Sequence, residues 1–511
     1  MRYLDEETNA LRLRLNRSTV VESICARSWF TRLWTVQEYV LSRDACFVCG
    51  QKQIQASKFF SSLQSLVEYR RRSHDQAIYT DPWQSSIISY VFVFSKIKDF
   101  LYQPTSGGPI SLTEILAEGR NQTVSKPKDA VFGIYGMVRL LGIPFPVPDY
   151  RKSIERIYLE ATKAAITADK SLSVLLETSE SENRSSLPSW VPDWNSGLDH
   201  TICVRNITGK SGISYFKAAR DSSARFKFLN EDRILRVRGL VVDKIVDCAE
   251  VSFQHSDYYA GLHLKRSSSL NTWFEPLQLG AYEIFRDWMA TASALPSYHS
   301  GEKVECAFRR TLTLDYTNWA EAAHLHHFNE RAGFNHWLQS QLLGNRFRPA
   351  IERKGLSVHF NYNHEFEKDL LASIGQRKST IKQSQAENNG LPSHLRPTTP
   401  LGSSRILPYN AAEFAILSNR RNENAMTFQK LAISHSLGML FFTTEAGYMG
   451  KGLLSIRSGD VIVLIAGVDV PMIARKSSST YRLQGPAYVH GIMHGEKWPR
   501  DESTLIDIKI S

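Results

Sequence analysis

"SWFTRLWTVQEYVL", residues Ser28–Leu41, has the composition of a buried helix with a polar pair, Gln37 and Glu38, in its middle. Wound as one continuous helix at about 100° per residue, it puts Trp29, Phe30, Leu33, Trp34, Val36, Val40 and Leu41 on one face about 160° wide. Gln37 falls within ~20° of the centre of that face. Its amide is expected to be buried and hydrogen-bonded, because an unsatisfied buried amide costs about 1–3 kcal/mol. Glu38 falls just past the edge, one turn after Trp34, and is expected half-buried against that indole. Arg32, Thr35 and Tyr39 lie on the other side. Two readings follow. Either Gln37 clamps a neighbouring backbone and Glu38 pairs with an arginine, or Glu38 is a functional carboxylate.

A chain of 511 residues exceeds one ordinary compact core and suggests two to four domains. Hydrophobic content of 42% and aromatic content of 11% allow large cores. The net charge of +11 permits attraction to nucleic acid, but only "YRRRSH" (Tyr69–His74) is a dense basic run. A basic nucleic-acid-binding protein is therefore the further alternative and not the main reading. The N-terminus is charged from Arg2 onward and lacks the pattern of a secretory signal. The most apolar runs, Ser86–Ser95 and Asp460–Ala474, fall short of the ~20 apolar residues a membrane span needs. A soluble, cytoplasmic protein without a membrane span is expected. Six cysteines include one C-x-x-C, Cys46 and Cys49, without the second pair a structural zinc site requires. That stretch reads as a short buried strand ending at Gly50.

Helical spacing recurs in "SKFFSSLQSLVEYRRR" and in "SIERIYLEATKAAITA", where Ser153 is a plausible N-cap. In the second, Ile154, Ile157, Tyr158, Ala161, Ala164 and Ala165 share a face. "GIPFPVPDY" is a Pro-punctuated loop. "LPSWVPDW" (Leu187–Trp194) reads as a Trp/Pro-rich extended segment. "RILRVRGLVVDKIVDCAEV" (Arg233–Val251) has strand patterning, with Gly239 as the expected bulge or bend. Helical signals return near 270–370. Residues 375–405 are poor in large apolar side chains and read as a disordered linker or loop. From about 430 onward, short β-rich segments punctuated by Gly indicate an antiparallel unit.

His324, His326 and His327 lack the H-E-x-x-H spacing of a zinc helix, so no metal is expected. "GYMGKG" (Gly447–Gly452) lacks the spacing of a phosphate loop and reads as a turn between strands. "KDAVFGIYGMV" has glycines at 133 and 136 and only weakly matches a dinucleotide fingerprint.

The stretch "SWFTRLWTVQE" resembles the third signature block of the fungal heterokaryon-incompatibility (HET) domain. "KPKDAVFGIYGMV", "VPDYRKSIERIY", "LPSWVPDW" and the β-rich tail from "FFTTEAGYMGKG" onward resemble later segments of that family, in family order. The two earlier blocks, similar to "L-S-Y-x-W-G" and "W-I-D-x-x-C-I-x-Q", have no counterpart, so an N-terminally truncated effector domain is expected. The resemblance implies an α+β chain. A partial, TIR-like α/β HET domain would be followed by a helical region and a small C-terminal antiparallel β-unit. The expected boundaries are 1–150 for the remnant HET domain with its helical extension, 151–374 for a mixed accessory region, 375–405 for the linker and 406–511 for the β-rich unit. It also implies a role in fungal non-self recognition and programmed cell death signalling, with a protein partner or self-association. NAD-cleaving TIR domains carry their catalytic glutamate four residues after a tryptophan, the spacing of Trp34 and Glu38. By that resemblance Glu38 is the candidate catalytic residue. No cofactor is expected, and NAD enters only as substrate in the alternative reading of an active glycohydrolase.

Overall fold

The computed structural model describes residues 24–72, 90–102, 110–179, 186–196, 207, 215–252, 274–315, 328–346 and 422–511. His324, His326, His327, Cys203 and the segment 375–405 lie outside the described residues, as do the side chains of the Tyr69–His74 run.

The first half is mostly helical. It opens with α1 (Ser28–Thr31) and α2 (Leu33–Leu41), a hairpin of β1 (Cys46–Cys49) and β2 (Lys52–Gln55), and α3 (Ala56–Arg72). β1 is the strand expected at the C-x-x-C, but its side chains are mostly exposed instead of buried. Among the described residues the hairpin pairs with no third strand, and Phe47 of β1 turns onto the rings of Phe30, Phe59 and Phe60. A π-helical turn (Tyr90–Phe94) leads into α4 (Ser95–Tyr102), followed by α5 (Leu112–Gly119), α6 (Asp129–Phe132), α7 (Tyr135–Leu140) and α8 (Ile154–Asp169). α8 starts where the sequence places it, with the Ser153 hydroxyl accepting from the Arg156 N–H at 3.3 Å. Its buried face includes Ile157, Tyr158, Ala161 and Ala165.

The second half is built on one long strand. β3 (Phe226–Leu229) is followed by β4 (Ile234–Cys248), whose fifteen residues have different neighbours along their length. Helices α9 (Phe274–Ser293), α10 (Val304–Thr313), α11 (Glu330–Arg346) and α12 (Glu423–Ser434) come next. Strands β5 (Met439–Thr444), β6 (Met449–Leu453), β7 (Val461–Ile465), β8 (Met472–Ser477), β9 (Thr480–Val489) and β10 (Ile506–Ile510) complete the chain.

Antiparallel pairing runs from β4 to β5, β6, β9, β8 and β7, and returns from β7 to β4. The sheet is therefore closed on itself as a barrel, which removes its edges. The lumen is filled by Ile245, Phe442, Ile462, Ile473 and Val489, among others. The antiparallel unit is thus larger than a C-terminal appendage, because β4 from mid-chain is one of its staves. β3 and β10 flank the first part of β4. The register shifts in β4 fall between Val241 and Asp243 and between Ile245 and Asp247, not at Gly239. Gly239 has a different constraint: a Cβ there would overlap the Leu464 carbonyl oxygen of β7.

"GYMGKG" is not a loop. Its Met449–Leu453 portion is β6, and every residue of that strand is buried. The turn precedes it at residues 445–447, with Gly447 at φ 84°.

The helical layer is fastened to the barrel by the Trp/Pro segment, which forms two consecutive turns instead of the extended run expected, with the Val191 N–H on the Pro188 carbonyl and the Ser196 N–H on the Asp193 carbonyl. Trp190 and Trp194 are fully buried. The Trp194 indole donates to Thr162 Oγ1 of α8 at 3.1 Å, and the Trp190 indole donates to the Arg233 carbonyl before β4 at 3.3 Å. Ser189 donates its N–H to the Ser511 carbonyl, and its hydroxyl accepts from the Leu483 N–H of β9 at 2.9 Å. Beneath Trp194 lies Arg120, whose side chain is completely buried. It pairs with Glu177 at 2.9 Å, bonds Ser196, and stacks its guanidinium 6.0 Å from the Trp194 ring. Burial pulls its pKa down, and the charge of Glu177 opposes that shift.

Arg120→Ala is expected to lower unfolding stability by about 3–5 kcal/mol, because it leaves the Glu177 carboxylate buried without its partner. Arg120→Lys is expected to recover only part of this, since one ammonium cannot reproduce the fork that reaches both Glu177 and Ser196. Urea unfolding of the three proteins measures both effects.

Candidate functional site

The opening stretch is two helices, not one. Arg32 is extended, at φ −88° and ψ 136°, and forms an isolated parallel bridge with Thr123. The Leu33 N–H donates to the Thr123 carbonyl at 3.1 Å, and the Thr123 hydroxyl donates to the Thr31 carbonyl at 2.9 Å. Backbone groups from a distant segment therefore replace one turn of helical hydrogen bonding. The Thr35 hydroxyl sits among the carbonyls of Trp29 and Arg32, left unpaired by the break, and the Tyr90 hydroxyl at 2.8 Å.

The break rotates α2 relative to α1, and a wheel drawn through Arg32 assigns the wrong side. Thr35 and Tyr39 are buried, whereas Trp34 is 38% exposed. Glu38 is exposed instead of half-buried. Its carboxylate accepts from the indole of Trp29, at 3.2 Å, so the tryptophan bonded to it is not the one at the family spacing. Trp29 is stacked on Tyr90 with ring centroids 5.8 Å apart and packs edge-on against Phe30 and Phe47. Glu38 thus stands in solvent at the rim of an aromatic cluster. Among the described residues the region around it holds helices and one antiparallel hairpin.

Gln37 is less buried than the helical wheel places it, but its amide is hydrogen-bonded as expected. Half-buried, it accepts from the Gly136 N–H at 2.8 Å through Oε1. This explains the glycines of "KDAVFGIYGMV". A Cβ on Gly136 would overlap Gln37 Oε1, and one on Gly133 would come within 2.7 Å of Leu33 Cδ2. Both glycines are docking positions for α2 on α6 and α7, and not part of a nucleotide loop.

Two polar clusters escaped the sequence reading. Lys451 on β6 is fully buried. Its ammonium nitrogen donates to the carbonyls of Leu312 at 2.8 Å and His435 at 2.9 Å and to Ser436 Oγ at 3.2 Å. Those carbonyls close α10 and α12, so one lysine caps two helix C-termini. Burial pushes its amine well below the ordinary lysine range. Burial likewise lowers His435 from 6.5 to about 4, with its Nδ1 facing the Leu431 carbonyl at 2.8 Å. Just past the C-terminal end of β9, His490 Nε2 lies 2.6 Å from Glu302 Oε1 and His490 Nδ1 lies 3.3 Å from the Tyr488 hydroxyl. Burial works to raise the Glu302 pKa, but the hydrogen bond and charge of His490, with Arg310 and Ser300, hold it below its usual value. Both nitrogens of His490 are engaged, so the cluster joins the α9–α10 loop to the barrel and presents no free imidazole base. Among the described residues no group of three His, Cys, Asp or Glu is arranged to hold a metal ion. No described helix is long and apolar enough to cross a membrane.

Residues 411–504 match the family model described as the Het-6 beta-barrel domain. Over 514 aligned residues the chain is 23% identical to a Neurospora crassa protein named heterokaryon incompatibility protein 6, OR allele, covering 94% of this chain. The chain spans 66% of the length of that curated relative. No solved structure matches. The matched range contains β5 to β9, whereas the closing stave β4 lies outside it. Together these findings support a protein of the heterokaryon-incompatibility family.

Gly136→Ala and Gln37→Ala are each expected to destabilise the protein by about 1–3 kcal/mol. The double variant should cost less than the sum, because removing Gln37 clears the space the new Cβ needs. A double-mutant cycle by urea unfolding reads this. A second expectation concerns pH. The unfolded chain protonates His435 near 6.5, whereas the fold keeps it neutral down to about 4. Between those values the unfolded state binds the extra proton, so stability falls as pH drops through the window. Relative to His435→Gln, the native protein should lose about 2 kcal/mol between pH 7 and pH 5.

Proposed function

We propose that this heterokaryon-incompatibility-family chain acts in fungal non-self recognition, as a component of the signalling that leads to programmed cell death. The observation that carries the reading is the co-linear likeness to a heterokaryon incompatibility protein over 94% of the chain. The barrel and its attached helices would engage a protein partner or a second copy. The α2 region would be the remnant of a TIR-like effector domain that is incomplete in this chain. The exposure of Glu38 supports the last point. Cleaving a glycosidic bond to nicotinamide requires a carboxylate positioned against an enclosed ribosyl centre. Here the carboxylate is held by one indole and faces water.

The second reading is an active NAD glycohydrolase with Glu38 as catalytic carboxylate. The fixed Trp29–Glu38 pair beside the stacked Tyr90 ring favours it, because a nicotinamide could lie on such an aromatic rim.

Purified protein incubated with NAD is expected to release no more nicotinamide than its Glu38→Ala variant. Release that depends on Glu38 would replace the first reading with the second. For the signalling role, strains with and without the gene are fused to tester strains and the viability of the fusion cells is counted. Viability should differ between the two. Equal viability across all testers, at native and raised expression, overturns the role.

A further inference from the structure

The loop "GIPFPVPDY" was read as punctuation, yet it builds a surface. Pro144, Pro146 and Pro148 alternate with Ile143, Phe145 and Val147. Proline at every second position fixes φ and disfavours helix at the residues between, so the strap is stiff before anything binds it. It runs past the end of α7 and forms with it a cleft of about 230 Å³ lined by Tyr135, Arg139, Gly142, Ile143, Pro144 and Phe145. That volume suits one large side chain and is smaller than the ~300–1,000 Å³ of sites for whole small molecules.

Three further observations bear on what enters it. Leu140 is 58% exposed and Val147 is 69% exposed, so apolar surface continues on the elements that border the cleft. Arg139 is exposed, and among the described residues no carboxylate pairs with it. The surrounding segment is basic. Lys126, Lys128, Arg151 and Lys152 share it with Asp129, buried against the Tyr150 hydroxyl, and Asp149, which pairs with Arg151, while Lys152 pairs with Glu160 of α8. An apolar cleft with an unneutralised guanidinium in its wall lacks a carboxylate.

We infer that this cleft docks an acidic segment of a partner protein, which inserts one aromatic or large aliphatic side chain and sets a neighbouring carboxylate on Arg139. The stiff strap lowers the ordering cost of such a contact. The bound segment would bear on α7, whose Gly136 N–H is held by Gln37 of α2, so the docking surface and the Glu38 helix share a rigid support. The inference stands whether or not Glu38 is catalytic.

The test uses the full chain and three fluorescein-labelled peptides, read by anisotropy at low and at physiological salt. One peptide carries a central phenylalanine flanked by glutamates, one has alanine in place of that phenylalanine, and one has lysines in place of the glutamates. The glutamate–phenylalanine peptide should bind at least about tenfold tighter than either control. Arg139→Glu should reverse the order of the glutamate and lysine peptides, and Val147→Asp should weaken binding of the first without reversing that order. Far-UV circular dichroism and thermal melts establish that both surface variants remain folded. Absence of binding by the glutamate–phenylalanine peptide overturns the inference, as does binding unchanged by Arg139→Glu. Arg139-dependent binding to phosphatidylserine vesicles, with no preference among the peptides, also overturns it and makes the cleft a lipid contact.

Discussion

Ser189 brings together three backbone positions that the chain order keeps far apart. It bonds Ser511, just past β10, and the Leu483 N–H of β9, while the two tryptophans that follow it reach α8 and the residue before β4. The helical layer and the barrel have no covalent reason to lie in one orientation. This strap supplies the reason: its two turns, closed by the Val191 N–H on the Pro188 carbonyl and the Ser196 N–H on the Asp193 carbonyl, set both indoles on their acceptors. Arg120 then fills the space under Trp194 with a charge that Glu177 compensates directly, helped by Ser196 and the nearby charge of Asp193. A buried pair of this kind adds little net stability, but it penalises any packing in which its members do not meet.

The same logic operates at the opposite side of the barrel. Lys451 closes α10 and α12 onto β6, and the Glu302–His490 pair closes the loop before α10 onto the end of β9. Apolar contacts between these helices and the sheet are plentiful but do not fix orientation. The polar contacts do, because each has a small set of geometries in which its donors and acceptors are satisfied. The candidate effector region is different. Glu38 accepts from the Trp29 indole and faces water, and its neighbour Gln37 is committed to holding two helices together.

What could be read from the sequence follows the range of the forces involved. α8 and its Ser153 cap, α3, and the strand character of β4 are set by residues within a turn or two of one another, and periodicity reported them correctly. The break at Arg32 comes from Thr123, and no helical wheel includes that residue. Trp34, Thr35 and Tyr39 were therefore placed on the wrong sides. The buried lysine in "GYMGKG" was hidden for a related reason. Its compensation is two helix carbonyls and a serine hydroxyl, none of which announces itself as a partner for a cation. Gln37 was legible because burying an amide makes a demand that can be stated without knowing who meets it. Its partner, a glycine chosen for the absence of a side chain, was not.

β4 has a consequence for how the molecule comes into being. Its partners β5 and β7 lie about two hundred residues downstream, so on a chain emerging from the ribosome it must wait through the synthesis of α9 to α12 before its staves exist. During that interval a fifteen-residue strand, apolar along one side, is available to any other unpaired edge. Contacts of such long sequence separation form slowly. The barrel is thus the late event in assembly, and the hold of an early-made strand on its intended neighbours is won against competitors in the crowded cell.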